Sequence, residues 1–273
     1  MKKKYLKIVA LVVALCLIAG LLLFANALLG NPVSKMLATN TATKYVEETY
    51  QGTDYYIEDV SYSFKDGYYH AFVKSPTSID TQFSLYINMF GNLSRDTYED
   101  VDSGFVTAQR LDTEYRNLTD TVFASAAFPT GADITFGALE IHPEEYLNNP
   151  EFYDIPPYSL NQTELEKDKI YDIKEIGSKA GHLTVHIKSD QVTVENASQI
   201  LLAIKEQFDS AGIPFVAIDF KLQSSTEEGT AGEQYIGVAN FLSEDIYEVG
   251  LLERVEKADQ ELKAFYAKLD KEK

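Results

Sequence analysis

One cysteine, no tryptophan, three methionines and four histidines occur in 273 residues, and positive charge is scarce. Each shortage removes a class of chemistry. Cys16 lies inside an apolar run, so the rest of the chain offers no disulfide, no thiolate nucleophile and no cysteine-ligated metal. Its stability has to come from burial. Lys and Arg number 24 against 42 Asp and Glu, a formal charge of −18. Residues 1–30 hold four of the basic residues and no acid, which leaves residues 31–273 at −22. A surface that acidic repels phosphate backbones and anionic headgroups, which argues against nucleic-acid binding. Cations, basic partners and cationic wall polymers are electrostatically permitted. There is no G-x-S-x-G, Walker loop, G-x-G-x-x-G or H-E-x-x-H. No catalytic residue and no cofactor is indicated.

What is present begins with Ile8 to Leu29, 22 residues without a charge. At 1.5 Å per residue they span about 33 Å, enough for a hydrocarbon core of roughly 30 Å. Lys2, Lys3, Lys4 and Lys7 precede the run, and no further Lys or Arg appears before Lys35. The positive-inside rule then predicts a cytoplasmic N-terminus, a single pass through residues 8–29 and an extracellular remainder. An uncleaved signal-anchor is the first expectation. Cleavage after Ala27 is an alternative, because Ala25-Asn26-Ala27 has the small-x-small pattern. A lipoprotein fits poorly, since Leu15 precedes Cys16.

The exported part reads as α+β. A helix is predicted over 36–50, then strands around Val60–Phe64, Tyr68–Lys74 and Phe83–Met89. Asp66-Gly67 predicts a type I′ hairpin. A helix over about 105–128 follows, placing Phe105, Ala108, Leu111, Tyr115, Leu118 and Val122 on one face. Gly131–Pro157 is harder: 133–141 has strand character, and 142–158 with its four prolines reads as irregular. Beyond it come a strand at His182–Lys188 and a helix between Thr193 and Gly212. Two strands, Phe215–Leu222 and Gln234–Phe241, and a last helix over 248–269 complete the chain. The expected organisation is a stub and transmembrane helix (1–30), a first α-β-β-β-α domain (31–128), a connector (129–172) and a second domain (173–273). Each domain is a small antiparallel or mixed sheet packed with helices.

Three groups are candidates for chemistry. His182 and His186 share one strand face but sit about 13 Å apart, too far for one metal ion, and read as a solvent face. Asp96, Glu99, Asp100 and Asp102 are the densest acids and the one place where a divalent cation is conceivable. Acids at a helix start are favoured by the macrodipole in any case. Tyr55-Tyr56 and Tyr68-Tyr69 must send one ring to each sheet face, so an outward aromatic surface could bind sugars or peptides.

KYVEETYQGTDYYIEDVSYSFKDGYYHAFVKSPTSIDTQFSLY (44–86) with DTYEDVDSG (96–104) resembles the YfjL-like proteins of Gram-positive bacteria. GHLTVHIKSD (181–190) and ASQILLAIKEQFDSAGIPFVAIDFKL (197–222) are similar to that family's C-terminal domain. The resemblance implies membrane anchoring and two exported domains, and it supplies no catalytic residue. The expected function is a non-enzymatic, membrane-anchored extracytoplasmic binding or interaction module, with a protein or cell-envelope partner. An envelope enzyme with an unrecognised site and a cation-responsive sensor are the alternatives.

Overall fold

A computed structural model describes residues 2–153, 155–225 and 231–271. It is α+β, and the chain divides into two compact units between Val106 and Thr107.

In unit 1, α1 (Lys2–Leu29) is one continuous helix. Its stretch Lys7–Asn26 is long and apolar enough to cross a membrane, and none of it is buried; no other helix among the described residues qualifies. α2 (Pro32–Thr49) starts a turn earlier than the sequence periodicity predicts. The reason is a start signal at Asn31-Pro32: the Asn31 side chain accepts from Ser34 N at 2.8 Å, and Pro32 fits the first turn. The helix buries Ser34, Ala38, Ala42 and Val46. Four small side chains one turn apart let its backbone lie close to a sheet.

That sheet is a meander, β1 (Tyr56–Ser63), β2 (Tyr68–Lys74), β3 (Gln82–Ile87) and β4 (Leu93–Asp96), antiparallel and in chain order. Val60, Tyr69, Ala71, Val73, Phe83, Leu85 and Ile87 form its buried face, joined by Val101 of the one-turn α3 (Glu99–Asp102). The fourth strand was not anticipated, because LSRD carries no alternating pattern of its own.

α4 (Phe105–Phe123) does not close this domain. Leu111, Tyr115 and Val122 belong to the core of unit 2. The periodicity of a helix identifies its apolar face but says nothing about which sheet that face covers, and neighbours in sequence are only usually neighbours in space. The 129–172 stretch is likewise more than a connector. β5 (Ala132–Leu139) is an edge strand of the second sheet. β6 (Ile141–His142) pairs in parallel with β7 (Leu160–Asn161), with the single-turn α5 (Glu144–Leu147) and α6 (Pro150–Tyr153) between them.

The rest of unit 2 is α7 (Ile173–Ala180), β8 (Gly181–Lys188), α8 (Val194–Ala211), β9 (Ala217–Ser225), β10 (Ala231–Leu242) and α9 (Leu251–Leu269). The mixed sheet runs β10-β9-β8-β5, with β8 and β9 parallel across the α8 crossover. Thr193 caps α8 by accepting from Asn196 N at 3.1 Å, and Gly212 ends it, both as its sequence predicts. Leu183, Val185, Ile187, Ile218, Phe220 and Leu222 meet Leu201, Ile204 and Phe208 in the core. The expected loop between β9 and β10 falls largely on 226–230, outside the described residues.

The β1–β2 hairpin departs from the type I′ expectation. Ser63 pairs with Tyr68, so four residues make the turn, and only Gly67 among them has positive φ, at 77°. Gly67 N donates to Ser63 O at 2.8 Å. Asp66 is freed to act through its carboxylate, which accepts from Tyr68 N and contacts His70 Nε2 at 2.8 Å. The glycine requirement survives the change of turn type. Gly67→Val is therefore expected to destabilise unit 1 by about 1–3 kcal/mol through backbone strain. Nothing packs against the position, so any loss comes from strain alone. Amide exchange of β1 and β2 in the full chain reads it; unchanged protection would place the strain elsewhere.

Candidate functional site

Within unit 1, the acids do not gather around a point. Asp96 ends β4, and its Oδ2 accepts from Tyr50 at 2.5 Å and Tyr45 at 3.0 Å, while Oδ1 accepts from Tyr98 N at 2.8 Å. Glu99, Asp100 and Asp102 occupy the single turn of α3. Among the described residues, no group of three or more His, Cys, Asp or Glu is placed to hold a metal ion. The carboxylate of Asp96 serves instead as an acceptor hub for phenols. Burial, then the hydrogen bond and charge of Asp96, push the Tyr50 hydroxyl up, and the same causes raise Tyr45. A hydrogen bond to Tyr55, then burial, raises Tyr98. The Tyr45 and Tyr50 phenols stay protonated and donate to Asp96. Around them Tyr50, Tyr55, Phe83 and Tyr98 pack with ring centroids 5.0–6.1 Å apart.

The tyrosine pairs split across the sheet. Tyr55 turns into this cluster, and Tyr56 is exposed. Tyr69 is buried; its hydroxyl accepts from Asn31 N at 2.8 Å and donates to Asn31 O at 3.1 Å. Tyr68 lies on the outer face beside Tyr86, which His70 approaches to 4.3 Å and Arg95 covers at 4.6 Å. A groove of about 520 Å³ runs between α2 and β1, the free edge of the sheet. Lys35, Glu47, Tyr55, Tyr56, Glu58 and Asp59 are in its lining.

Within unit 2, a polar network occupies the sheet face turned away from α8. His182 is buried, contrary to its reading as a solvent-facing residue. Its Nδ1 lies 2.7 Å from Tyr158 Oη and 3.7 Å from Glu140 Oε1, and its Nε2 lies 3.4 Å from Asp219 Oδ1. Tyr158 donates to Asn240 Oδ1 at 3.0 Å, and Asn240 N donates to Asp219 Oδ1 at 2.7 Å. Asn240 holds φ at 49° to do so. Glu140 also contacts His142 Nε2 at 2.7 Å. Burial raises the Tyr158 phenol, with Glu140 and Asp219 adding to it, so it too remains a donor. Sequence reasoning missed this network. Tyr158 sits in a proline-rich stretch 24 residues from His182, and nothing local pairs them.

A pocket of about 320 Å³ opens on the same face, lined by His186, Asp219, Lys221, Tyr235, Gly237, Leu262 and Tyr266 among others. The parallel register sets Thr184 beside Asp219 and His186 beside Lys221. α9 closes one side, where Asp259 accepts from Gly237 N at 3.0 Å and from Lys263 Nζ at 2.7 Å.

Two expectations follow. Asp96→Asn should lower the thermal midpoint by the loss of charge-assisted bonds, about 1.5–3 kcal/mol, while millimolar calcium should leave the native midpoint where chelator does. A calcium-dependent rise lost in Asp100→Asn would instead reveal a metal site. The second expectation concerns pH. Burial, then the nearby Lys221 ammonium, pull His186 below the ordinary 6.5. Burial alone would raise Asp219, but hydrogen bonds from His182 and the Asn240 amide leave it below 3.8. Both folded values lie below the unfolded ones, so the unfolded chain takes up more protons and stability falls on acidification. The His186 share is lost as pH falls below about 6.5, and the Asp219 share below about 3.8. Thermal midpoints should therefore drop less in His186→Gln between pH 7 and 5, and less in Asp219→Asn between pH 5 and 3. Parallel curves for variant and parent would refute the assignment.

Comparison with known proteins adds one result. The family described as "YfjL-like, N-terminal domain" matches residues 2–97, and "YfjL-like C-terminal domain" matches residues 114–256. No curated protein and no solved structure matches the chain. The two matches cover most of the chain and fall on either side of the break between the units. The chain belongs to the YfjL-like family, whose function is unknown.

Proposed function

We propose that this protein is a single-pass, membrane-anchored module with its N-terminus in the cytoplasm and residues 31–273 outside, and that it binds a partner rather than catalysing a reaction. The observation that carries the binding role is the groove beside β1. An edge strand presents unpaired backbone groups, and pairing with an extended segment of another chain satisfies them. Here the edge borders a groove whose lining includes Tyr55 and Tyr56 on the strand side and Lys35 and Thr39 on the helix side. Its charged lining is one lysine against three acids, Glu47, Glu58 and Asp59. Lys35 spans 3.7 Å to Asp59, and Lys74 reaches Glu58 at 2.7 Å, which leaves Glu47 for an incoming cation. A basic, extended segment of a protein partner fits that lining.

The anchoring role is supported by the stretch Lys7–Asn26 of α1, long and apolar enough to cross a membrane and not buried in the protein, and by the lysines before it. Against catalysis stands the closed character of the His182 network. Its phenol, imidazole, amide and carboxylates bond one another, and no serine or cysteine nucleophile is part of it.

Two measurements test the proposal. In wall-stripped cells, external protease should digest residues 31–273 without lysis; protection until lysis would overturn the topology. A fluorescent, lysine-rich decapeptide should bind the full chain in nanodiscs, and Glu47→Lys with Tyr56→Ala should weaken it at least about tenfold, or 1.4 kcal/mol. Glu261→Lys on α9 provides the control. Equal losses in both variants would reduce the binding to bulk charge and remove the groove from consideration.

A further inference from the structure

We infer that the pocket on the open sheet face of unit 2 binds a small organic anion, a carboxylate or phosphate carried on an apolar or ring-shaped body. This site is separate from the groove of unit 1, and the inference stands apart from that reading.

The first ground is an unmatched cation. In a chain with 42 acids for 24 basic residues, an ammonium finds a carboxylate easily. Lys188 pairs with Asp133 at 3.1 Å, Lys205 with Asp209 at 2.5 Å and Lys263 with Asp259 at 2.7 Å. Lys221 has no such partner among the described residues; its ammonium faces the Tyr235 ring at 5.0 Å. Lys263 approaches the same ring at 5.0 Å, but its charge is matched by Asp259 and it is not part of the pocket lining. His186, half-buried on the neighbouring strand, makes no hydrogen bond to any described residue and offers an N–H to the same space.

The second ground is shape. The cavity of about 320 Å³ suits a ligand of fragment size, and Tyr235, Tyr266, Leu262 and Val238 give it an apolar wall. A cation at the head and rings along the side select an anion with an apolar body over a bare ion.

Asp219 also lines the pocket, yet its Oδ1 is held by Asn240 N and faces the His182 imidazole. The overall charge of −18 does not decide the matter either. At physiological ionic strength exposed charges are screened beyond about 8 Å, so the groups lining the pocket set the field an anion meets there. Lys221 is the lining cation, and Asp219, the lining carboxylate, is engaged by Asn240 N and the His182 imidazole.

The test uses the full chain in detergent micelles with benzoate and inorganic phosphate as probes and neutral benzamide as control. Labelling histidine with carbon-13 gives four ring signals, one per histidine. Benzoate should saturate with a dissociation constant of about 1–10 mM, as befits a fragment, and inorganic phosphate should bind more weakly. The His186 signal should move while His70 stays still. Lys221→Gln should weaken binding at least tenfold, and Lys221→Arg should retain it, with unmoved His70 and His142 signals in the free variants reporting an intact fold. Inorganic phosphate binding as tightly as benzoate would show a bare-ion site and overturn the inference. Absence of saturation by either anion at about 50 mM would overturn the inference. Equal binding of benzamide, unchanged affinity in Lys221→Gln, or a response confined to His70 would do the same.

Discussion

In unit 1 the inner face of β1–β4 is hidden by α2 through Ala38, Ala42 and Val46; in unit 2 the core face of β8 and β9 is hidden by Leu201, Ile204 and Phe208 of α8. Everything else in the chain depends on this covering of one sheet face by a helix. A four-stranded sheet left bare on both sides would not be stable alone, and the only cysteine is in α1, so no covalent staple can substitute. Burial is the sole source of stability, and the sequence is spent accordingly. Residues of alternate position in β2, β3 and β8 are apolar and buried, whereas their neighbours are free to be polar.

That freedom is where the chemistry gathers. Because side chains alternate along a strand, a strand that devotes Leu183, Val185 and Ile187 to the core must present His182, Thr184 and His186 on the other face. The parallel pairing with β9 then brings Asp219 and Lys221 alongside them. A network and a pocket on one open face are thus consequences of register. A one-residue slip of β9 against β8 would send Asp219 and Lys221 into the core, where an ammonium and a carboxylate cannot be hydrated. The fold protects the site by making its misalignment expensive.

How much of this could be read from the residues alone follows the same division. Several local signals held: Thr193 and Gly212 bound α8, the alternation of β2 and β8 marks their buried faces, and Tyr68-Tyr69 divide between faces as pleating requires, while Asp66-Gly67 marks the hairpin but not its turn type. Signals that join distant segments were silent. Nothing near Tyr158 announces His182, and nothing near Asp96 announces Tyr45 and Tyr50, which are 51 and 46 residues away. The acids at 96–102 looked like a ligand set because their density is visible in sequence, while the phenols that occupy Asp96 are not. α4 illustrates the limit in the other direction. Its apolar face was legible, but the sheet it covers is specified only by packing partners such as Ile176 and Phe208, which arrive much later in the chain.

The junction between α1 and unit 1 is the point at which sequence, packing and the proposed role meet. Gly30 has φ of 68°, and a Cβ there would come 2.6 Å from the Tyr69 hydroxyl and 2.8 Å from the Tyr62 ring. Both the backbone angle and the space exclude a side chain. Immediately after it, Asn31 caps α2 and exchanges two backbone hydrogen bonds with the Tyr69 hydroxyl. The apolar helix is therefore joined to the sheet through a closely packed turn, with no flexible linker between them. With α1 in a bilayer as proposed, Lys35 at the start of the β1 groove would lie six residues beyond Leu29, the last residue of α1. A partner engaging that groove would then be met at the membrane surface. The acidic lining of the groove favours a basic partner there, and the closely packed turn at Gly30 keeps α1 next to it.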